Sequence, residues 1–153
     1  MKRVKSFIST IFNGNSRAYI YIWISKTEKF IYVGQTNERF GTFGRAYSHI
    51  QPTGTLRIRC MERVGIDLEL VDDLHLLSFP LPSTKEFISN ESSFRLAVEY
   101  LVQFGLHEAK KDVSPSFQII SKIVTTAHTS NSQVKSLAFQ IINEFKDCYN
   151  KIE

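Results

Sequence analysis

Several features that would announce a function at once are scarce or missing. The only cysteines, Cys60 and Cys148, stand far apart without C-x-x-C spacing, which indicates neither a disulfide framework nor a zinc site and fits a reducing cytoplasm. No run approaches the roughly 18 consecutive apolar residues that a membrane-spanning helix needs. The opening stretch, Met1 to Phe12, is basic and then weakly apolar. Polar residues interrupt it and no small-residue cleavage site follows, so a short amphipathic helix is expected there, not a signal peptide. His75, His107 and His128 form no metal-ligand spacing with acids or cysteines. No Walker-type or dinucleotide-binding glycine loop is present, which sets aside ATP hydrolysis and redox chemistry. There is no internal repeat and no low-complexity tract, only punctuation at residues 13–16, 51–54, 80–83 and 114–116.

What is present suits one folded domain with terminal additions. A chain of 153 residues can bury a core but is short for two ordinary domains. Hydrophobic residues at 42% and charged residues at 22% argue against wholesale disorder. The net charge of +4 is unevenly spread: residues 1–65 hold 11 Lys and Arg against 3 acids, and the remainder holds 8 against 12. That polarity suits a chain with one face toward a phosphate backbone; a merely solvated basic face would look the same.

Residues 19–24 alternate with period two and are rich in aromatic and β-branched types, as are residues 30–33; the polar stretch between them reads as a hairpin turn. Residues 44–50 predict a short helix. Residues 66–70 and 74–79 compete to be a third strand. Residues 94–104 predict a helix opened by Asn90 or Ser92. Apolar spacing of three and four predicts two further helices, over 117–124 and 133–149. The expected fold is α/β: a three-stranded, largely antiparallel sheet flanked by helices. Residues 1–16 would be a helical extension, 17–110 the core, and 111–153 helices that complete the core or make a dimer contact.

Strand parity puts Tyr19, Tyr21 and Trp23 on one face and Ile20, Ile22 and Ile24 on the other. With the turn centred near Thr27 and Glu28, Trp23 lies opposite Tyr32 and Tyr21 opposite Gly34. Two phenols, Tyr21 and Tyr32, then converge diagonally beside a glycine.

These residues resemble a known family. Tyr19-Ile20-Tyr21, followed by Tyr32-Val33-Gly34-Gln35-Thr36, looks like the paired motifs of the GIY-YIG nucleases. Gly44-Arg45-Ala46-Tyr47-Ser48-His49 resembles the helix carrying that family's arginine and a histidine four residues later. Ala97-Val98-Glu99-Tyr100 is similar to the helix that supplies its metal-binding glutamate. The resemblance spans residues 18–106 in short pieces that occur in the right order. Tyr19 stands where the family usually has glycine, and the stretch from Asn37 to Gly44 looks like the restriction-endonuclease branch.

The resemblance implies phosphodiester hydrolysis in double-stranded DNA, which needs a base for water, a cation for the phosphoryl oxygens and help for the leaving oxygen. Tyr21 is then the candidate base, although a phenol with an ordinary pKa of about 10 needs nearby positive charge to serve. Arg45 would supply that charge and a planar fork for phosphate. Glu99 would hold Mg²⁺ or Mn²⁺ with waters retained, while Tyr32 and His49 would join hydrogen bonding and proton relay. Arg39, Arg57, Arg59 and Arg63 are candidate DNA contacts. Each residue also has a plainer reading: strand tyrosines are often packing residues, Arg95 and Glu99 are spaced for an i, i+4 pair, and the arginines could form a solvated face. A single such site cuts one strand, so a homodimer is expected for double-strand breaks. The competing classes are a binding module of the same fold without turnover, and an adaptor or inhibitor whose acidic half meets a basic partner.

Overall fold

Each β-branched or aromatic residue of the first hairpin has an opposite number across the ladder, and the sheet grows outward from that pair. The computed structural model describes residues 14–153; the helix expected over the opening residues lies outside them. Strand β1 (Tyr19–Ser25) pairs antiparallel with β2 (Phe30–Thr36), with Tyr21 opposite Gly34 and Trp23 opposite Tyr32. Lys26 to Lys29 form the turn, and Lys29 adopts a left-handed φ of 54°. Asp73 holds that turn from outside. Its carboxylate accepts from Ser25 Oγ at 2.5 Å and from the backbone N–H groups of Lys26 and Thr27, both at 2.8 Å.

Of the two segments competing for the third strand, the later one forms β3 (His75–Pro80), antiparallel to β1. The earlier one folds into a 3₁₀ turn over Leu68–Leu70, where Asp67 accepts the N–H of Glu69 and draws the backbone out of an extended path.

Two expectations require correction. The sheet has four strands in the order β3-β1-β2-β4 and is mixed, not three-stranded. The fourth strand lies within residues 117–124, where apolar spacing predicted a helix. Instead β4 (Gln118–Ile119) runs parallel to β2. Gln118 N–H donates to Lys29 O at 2.8 Å, Ile120 N–H to Ile31 O at 2.9 Å, and Val33 N–H to Ser121 Oγ at 3.1 Å. An open strand edge satisfies these backbone groups without a helix, and a run containing Ile119, Ile120, Ile123 and Val124 suits extended backbone.

The helices are α1 (Gly41–Ile50), α2 (Thr55–Arg63), the single turn α3 (Lys85–Ile88), α4 (Ser93–Ala109) and α5 (Ser132–Lys151). On one side of the sheet, Ile20, Ile22, Ile24, Ile31 and Val33 join Val98, Val102 and Leu106 of α4 and Val134, Ile141, Phe145 and Tyr149 of α5 in one apolar cluster. On the other side, Tyr21, Trp23, Phe30 and Tyr32 pack with Leu56 and Cys60 of α2. Strand parity thus sends aliphatic residues to the large core and aromatic residues to the smaller one. Among the described residues no helix is long and apolar enough to cross a membrane.

Candidate active site

Helix α1 turns its polar side inward. Thr42 and His49 are buried, and Thr42 Oγ1 lies 2.6 Å from Ser78 Oγ of β3, fixing the helix across the aromatic face of the sheet. Gly41, with φ of 59°, makes the entry bend that an L side chain would resist. This placement delivers His49 and Arg45 to Tyr21. His49 Nε2 is 2.6 Å from Tyr21 Oη, and Arg45 Nε–H donates to the same oxygen at 3.5 Å. Tyr32 meets the His49 ring edge-on, with centroids 5.0 Å apart.

The tautomer follows from the other ring nitrogen. Leu56 N–H donates to His49 Nδ1 at 3.3 Å, so Nδ1 is the acceptor and neutral His49 carries its proton on Nε2, aimed at Tyr21. Burial, with Arg45 nearby, pushes the His49 pKa down to about 4, so the neutral form prevails at pH 7. One phenol oxygen thereby receives two N–H donors. Gly34 permits this: a Cβ there would overlap the Tyr21 hydroxyl and ring, so the phenol lies across bare β2 backbone.

Glu99 on α4 is partly buried. Burial pushes its pKa up to about 7 against the pull of Gln103 and Arg45. Its charge is felt by both phenols. Burial first, then Tyr32 and Glu99, push Tyr21 well above the ordinary phenol range, with Arg45 opposing. Tyr32 is pushed up to about 12 by burial and Glu99. The sequence therefore names four groups that the fold brings into one electrostatically coupled set with Glu99: Tyr21, Tyr32, Arg45 and His49.

Other residues entered without a sequence signal strong enough to name them. Gln103, one helical turn after Glu99, donates from Nε2 to Glu99 Oε1 and to Lys122 O, both at 3.2 Å, while its own Oε1 is buried without a hydrogen-bond partner. A polar residue at i+4 on an otherwise apolar helix face was the available clue. Arg95 does not pair with Glu99. It is buried and donates to Gln35 Oε1 at 2.8 Å and to the carbonyls of Phe87 and Ser89, both at 2.6 Å, tying α4 to the end of β2. Gln35, Thr36, Asn37, Glu38, Arg45 and Ser48 line a pocket of about 320 Å³, which Arg45 links to the Tyr21 hydroxyl.

Of the expected DNA-contact arginines, Arg39 precedes α1 and the other three lie on α2. Arg39 is exposed, its guanidinium 5.6 Å from the Phe40 ring centre. Arg57 is bound to Glu69 at 2.6 Å, Arg59 meets Glu62 at 3.1 Å, and Arg63 is exposed. Exposed ion pairs of this kind contribute little to stability.

A metal here would rest on Glu99. Among the described residues there is no group of three His, Cys, Asp or Glu side chains able to hold an ion. A partly buried carboxylate held near neutrality by burial still fits a hard divalent cation that keeps its waters and takes substrate oxygens as further ligands. No protein-family model, curated protein or solved structure matches this chain.

Proposed function

We propose that this chain is a metal-dependent DNA endonuclease that hydrolyses phosphodiester bonds with GIY-YIG-type chemistry. The observation that carries the reading is the convergence of His49 Nε2 and Arg45 Nε on Tyr21 Oη, with Glu99 close enough to perturb both phenols. A buried phenol oxygen needs a hydrogen-bond partner in any fold; two N–H donors on it also supply what a phenolate formed during reaction requires.

The residues divide the work. Arg45, half-buried at the pocket wall, holds a phosphate oxygen and faces the charge that builds on it. Tyr21, after giving up its own proton to solvent, takes a proton from the attacking water, its phenolate held by the His49 and Arg45 N–H groups. The water oxygen bonds to phosphorus, the bond to the leaving sugar oxygen breaks, and that oxygen leaves with a proton drawn from solvent. Neutralising Glu99 removes one influence that keeps both phenols protonated. Glu99 would be the protein ligand of Mg²⁺ or Mn²⁺, which when bound supplies Lewis-acid stabilisation of the phosphate and leaving oxygen. Gln103 fixes the orientation of the Glu99 carboxylate.

The test is supercoiled plasmid incubated with protein and Mg²⁺, Mn²⁺ or EDTA. Metal-dependent nicking that disappears in Tyr21→Phe and in Glu99→Gln is the expected result. Because one site cuts one strand, nicked circles precede linear DNA unless two chains act together, and light scattering with and without DNA tests the homodimer. A binding module without turnover is the second reading, favoured by the single carboxylate in place of a cluster of metal-ligating groups. Under it, DNA binds equally well in wild type and Glu99→Gln and no nicking is seen.

A further inference from the structure

The link between β2 and α1 sets an acid beside Arg45, and the chain is tied down on both sides of it. Thr36 Oγ1 accepts the Glu38 N–H at 3.0 Å, and Glu38 O accepts the Gly41 N–H at 2.7 Å. Asn37 Nδ2 donates to the carbonyls of Ile88 and Ser89, at 3.3 and 3.1 Å. The backbone at Glu38 is thus held, although its side chain is exposed. The carboxylate lies over Gly44: a Cβ on that glycine would overlap both of its oxygens. Glycine inside a helix otherwise weakens it. Here the missing side chain leaves the space that the carboxylate fills.

Gly44 immediately precedes Arg45, and the pocket beside them is lined by both Glu38 and Arg45. Among the described residues of that lining, Glu38 is the one acid and Arg45 the one base. Burial works against the Arg45 charge; Tyr21, Tyr32 and Glu38 more than offset it. Yet among the described residues no ion pair joins Glu38 to Arg45. The guanidinium is therefore left to take an anion, and that anion must tolerate the Glu38 charge. Repulsion grows with the product of the charges, so it doubles when the anion carries two instead of one. A phosphodiester carries one. A terminal phosphate monoester, with a second pKa of about 6, carries nearly two at pH 7.5.

We propose that Glu38 is a specificity-determining charge filter: it sets the Arg45 pocket to take the singly charged phosphate within a strand and to turn away the doubly charged phosphate at a strand end. The filter rests on the nuclease reading for placing a backbone phosphate at Arg45. Hydrolysis suits the same device, because attack of water on phosphorus converts a diester into a monoester and an alcohol. The product meets Glu38 with more negative charge than the substrate had, which favours its release and biases cutting toward strand interiors.

Two minimal anions read the filter without cleavage: dimethyl phosphate has the charge of a diester, methyl phosphate that of a monoester. In EDTA at pH 7.5 and constant ionic strength, each is titrated into the full chain while the backbone amide NMR signals of Gly44, Arg45 and Ser48 are followed. Wild type is expected to bind methyl phosphate no tighter than dimethyl phosphate. Glu38→Gln is expected to shift the preference toward methyl phosphate by about fivefold or more, the scale of one unit charge near a protein surface. Gly44→Ala keeps the charge but displaces the carboxylate, and should shift the preference the same way. Glu38 is exposed, so an unchanged melting temperature of Glu38→Gln confirms its fold. Three results overturn the proposal: an equal preference in wild type and Glu38→Gln, a wild type that already favours methyl phosphate, or signals that move with neither anion. Plasmid nicking is scored separately. Nicking by wild type together with a preference unmoved in Glu38→Gln keeps the nuclease and rejects the filter; a shifted preference without nicking keeps the filter and rejects the nuclease.

Discussion

Two side chains in the site titrate against each other. His49 has a folded pKa of about 4 against 6.5 unfolded, so between these values the unfolded chain binds more protons and stability rises with pH, complete above 6.5. Glu99 behaves oppositely. Its folded pKa is about 7 against 4.5, so the folded chain holds the proton more tightly and stability falls as pH climbs through that interval. Between about 4.5 and 6.5 the slopes offset each other, and denaturant melts of the wild type should be nearly flat there. Glu99→Gln removes the falling limb. Its stability should rise to pH 6.5 and then hold, exceeding wild type at pH 7 by at most about 3 kcal/mol at ~1.36 kcal/mol per pH unit, less whatever solvent screens. A catalytic variant that is more stable than its parent marks a strained functional group. Millimolar Mg²⁺ should raise the melting temperature of wild type and leave Glu99→Gln unmoved. Gly34→Ala is the companion case. The added methyl must displace the Tyr21 ring, so nicking should fall by about a hundredfold or more, with a loss in thermal stability that Gly34→Ser would also show.

At the level of elements, how legible a segment was depended on its length and on where its polar groups found partners. The β1–β2 hairpin was readable down to its register because period-two alternation and a four-residue polar turn leave one pairing that sends Ile20, Ile22 and Ile24 to the same side. Helices α4 and α5 were readable because each presents apolar residues over several turns. Strand β4 was not: two residues are too few for any periodicity, and Phe117, Ile120 and Val124 mimic helical spacing. The helical spacing of Arg95 and Glu99 was real, but Arg95 had three stronger acceptors within reach. Asp73 was silent in sequence because its role depends on a turn 46 residues earlier. Its carboxylate accepts from three donors, so Asp73→Ala should cost about 1 to 3 kcal/mol in urea unfolding. Lys29→Gly, relieving a left-handed residue in the same turn, should recover up to about 1 kcal/mol.

For the molecule as a whole, the charge asymmetry seen in the sequence survives folding only in part. Arg57 and Arg59 face acids from the same neighbourhood, which leaves Arg39, Arg45 and Arg63 as the more available of the five arginines between residues 39 and 63. DNA affinity should therefore drop with salt at a slope near −3 on a double-logarithmic plot, at about −0.9 per phosphate contacted. Replacing Arg39 and Arg63 together by Ala should shrink the slope by about 2, whereas Arg59→Ala should change it little. Titrations from 50 to 300 mM salt decide this.

The short parallel strand β4 has a further effect. A hairpin carrying catalytic residues on a sheet border would offer its unpaired backbone to any passing extended chain. Here β2 is sealed along Phe30 and Ile31 by Gln118 and Ile119, and beyond them by Ser121. The opposite border, β3, ends in Pro80, with Pro82 two residues on, where no N–H is left to recruit a partner. β2 is thus covered where β4 lies against it, and β3 is blunted at its Pro80 end. The hairpin that holds Tyr21 and Tyr32, its aromatic face already buried beneath α1 and α2, is in this way shielded along part of its free edge from the cross-chain pairing that leads to aggregation.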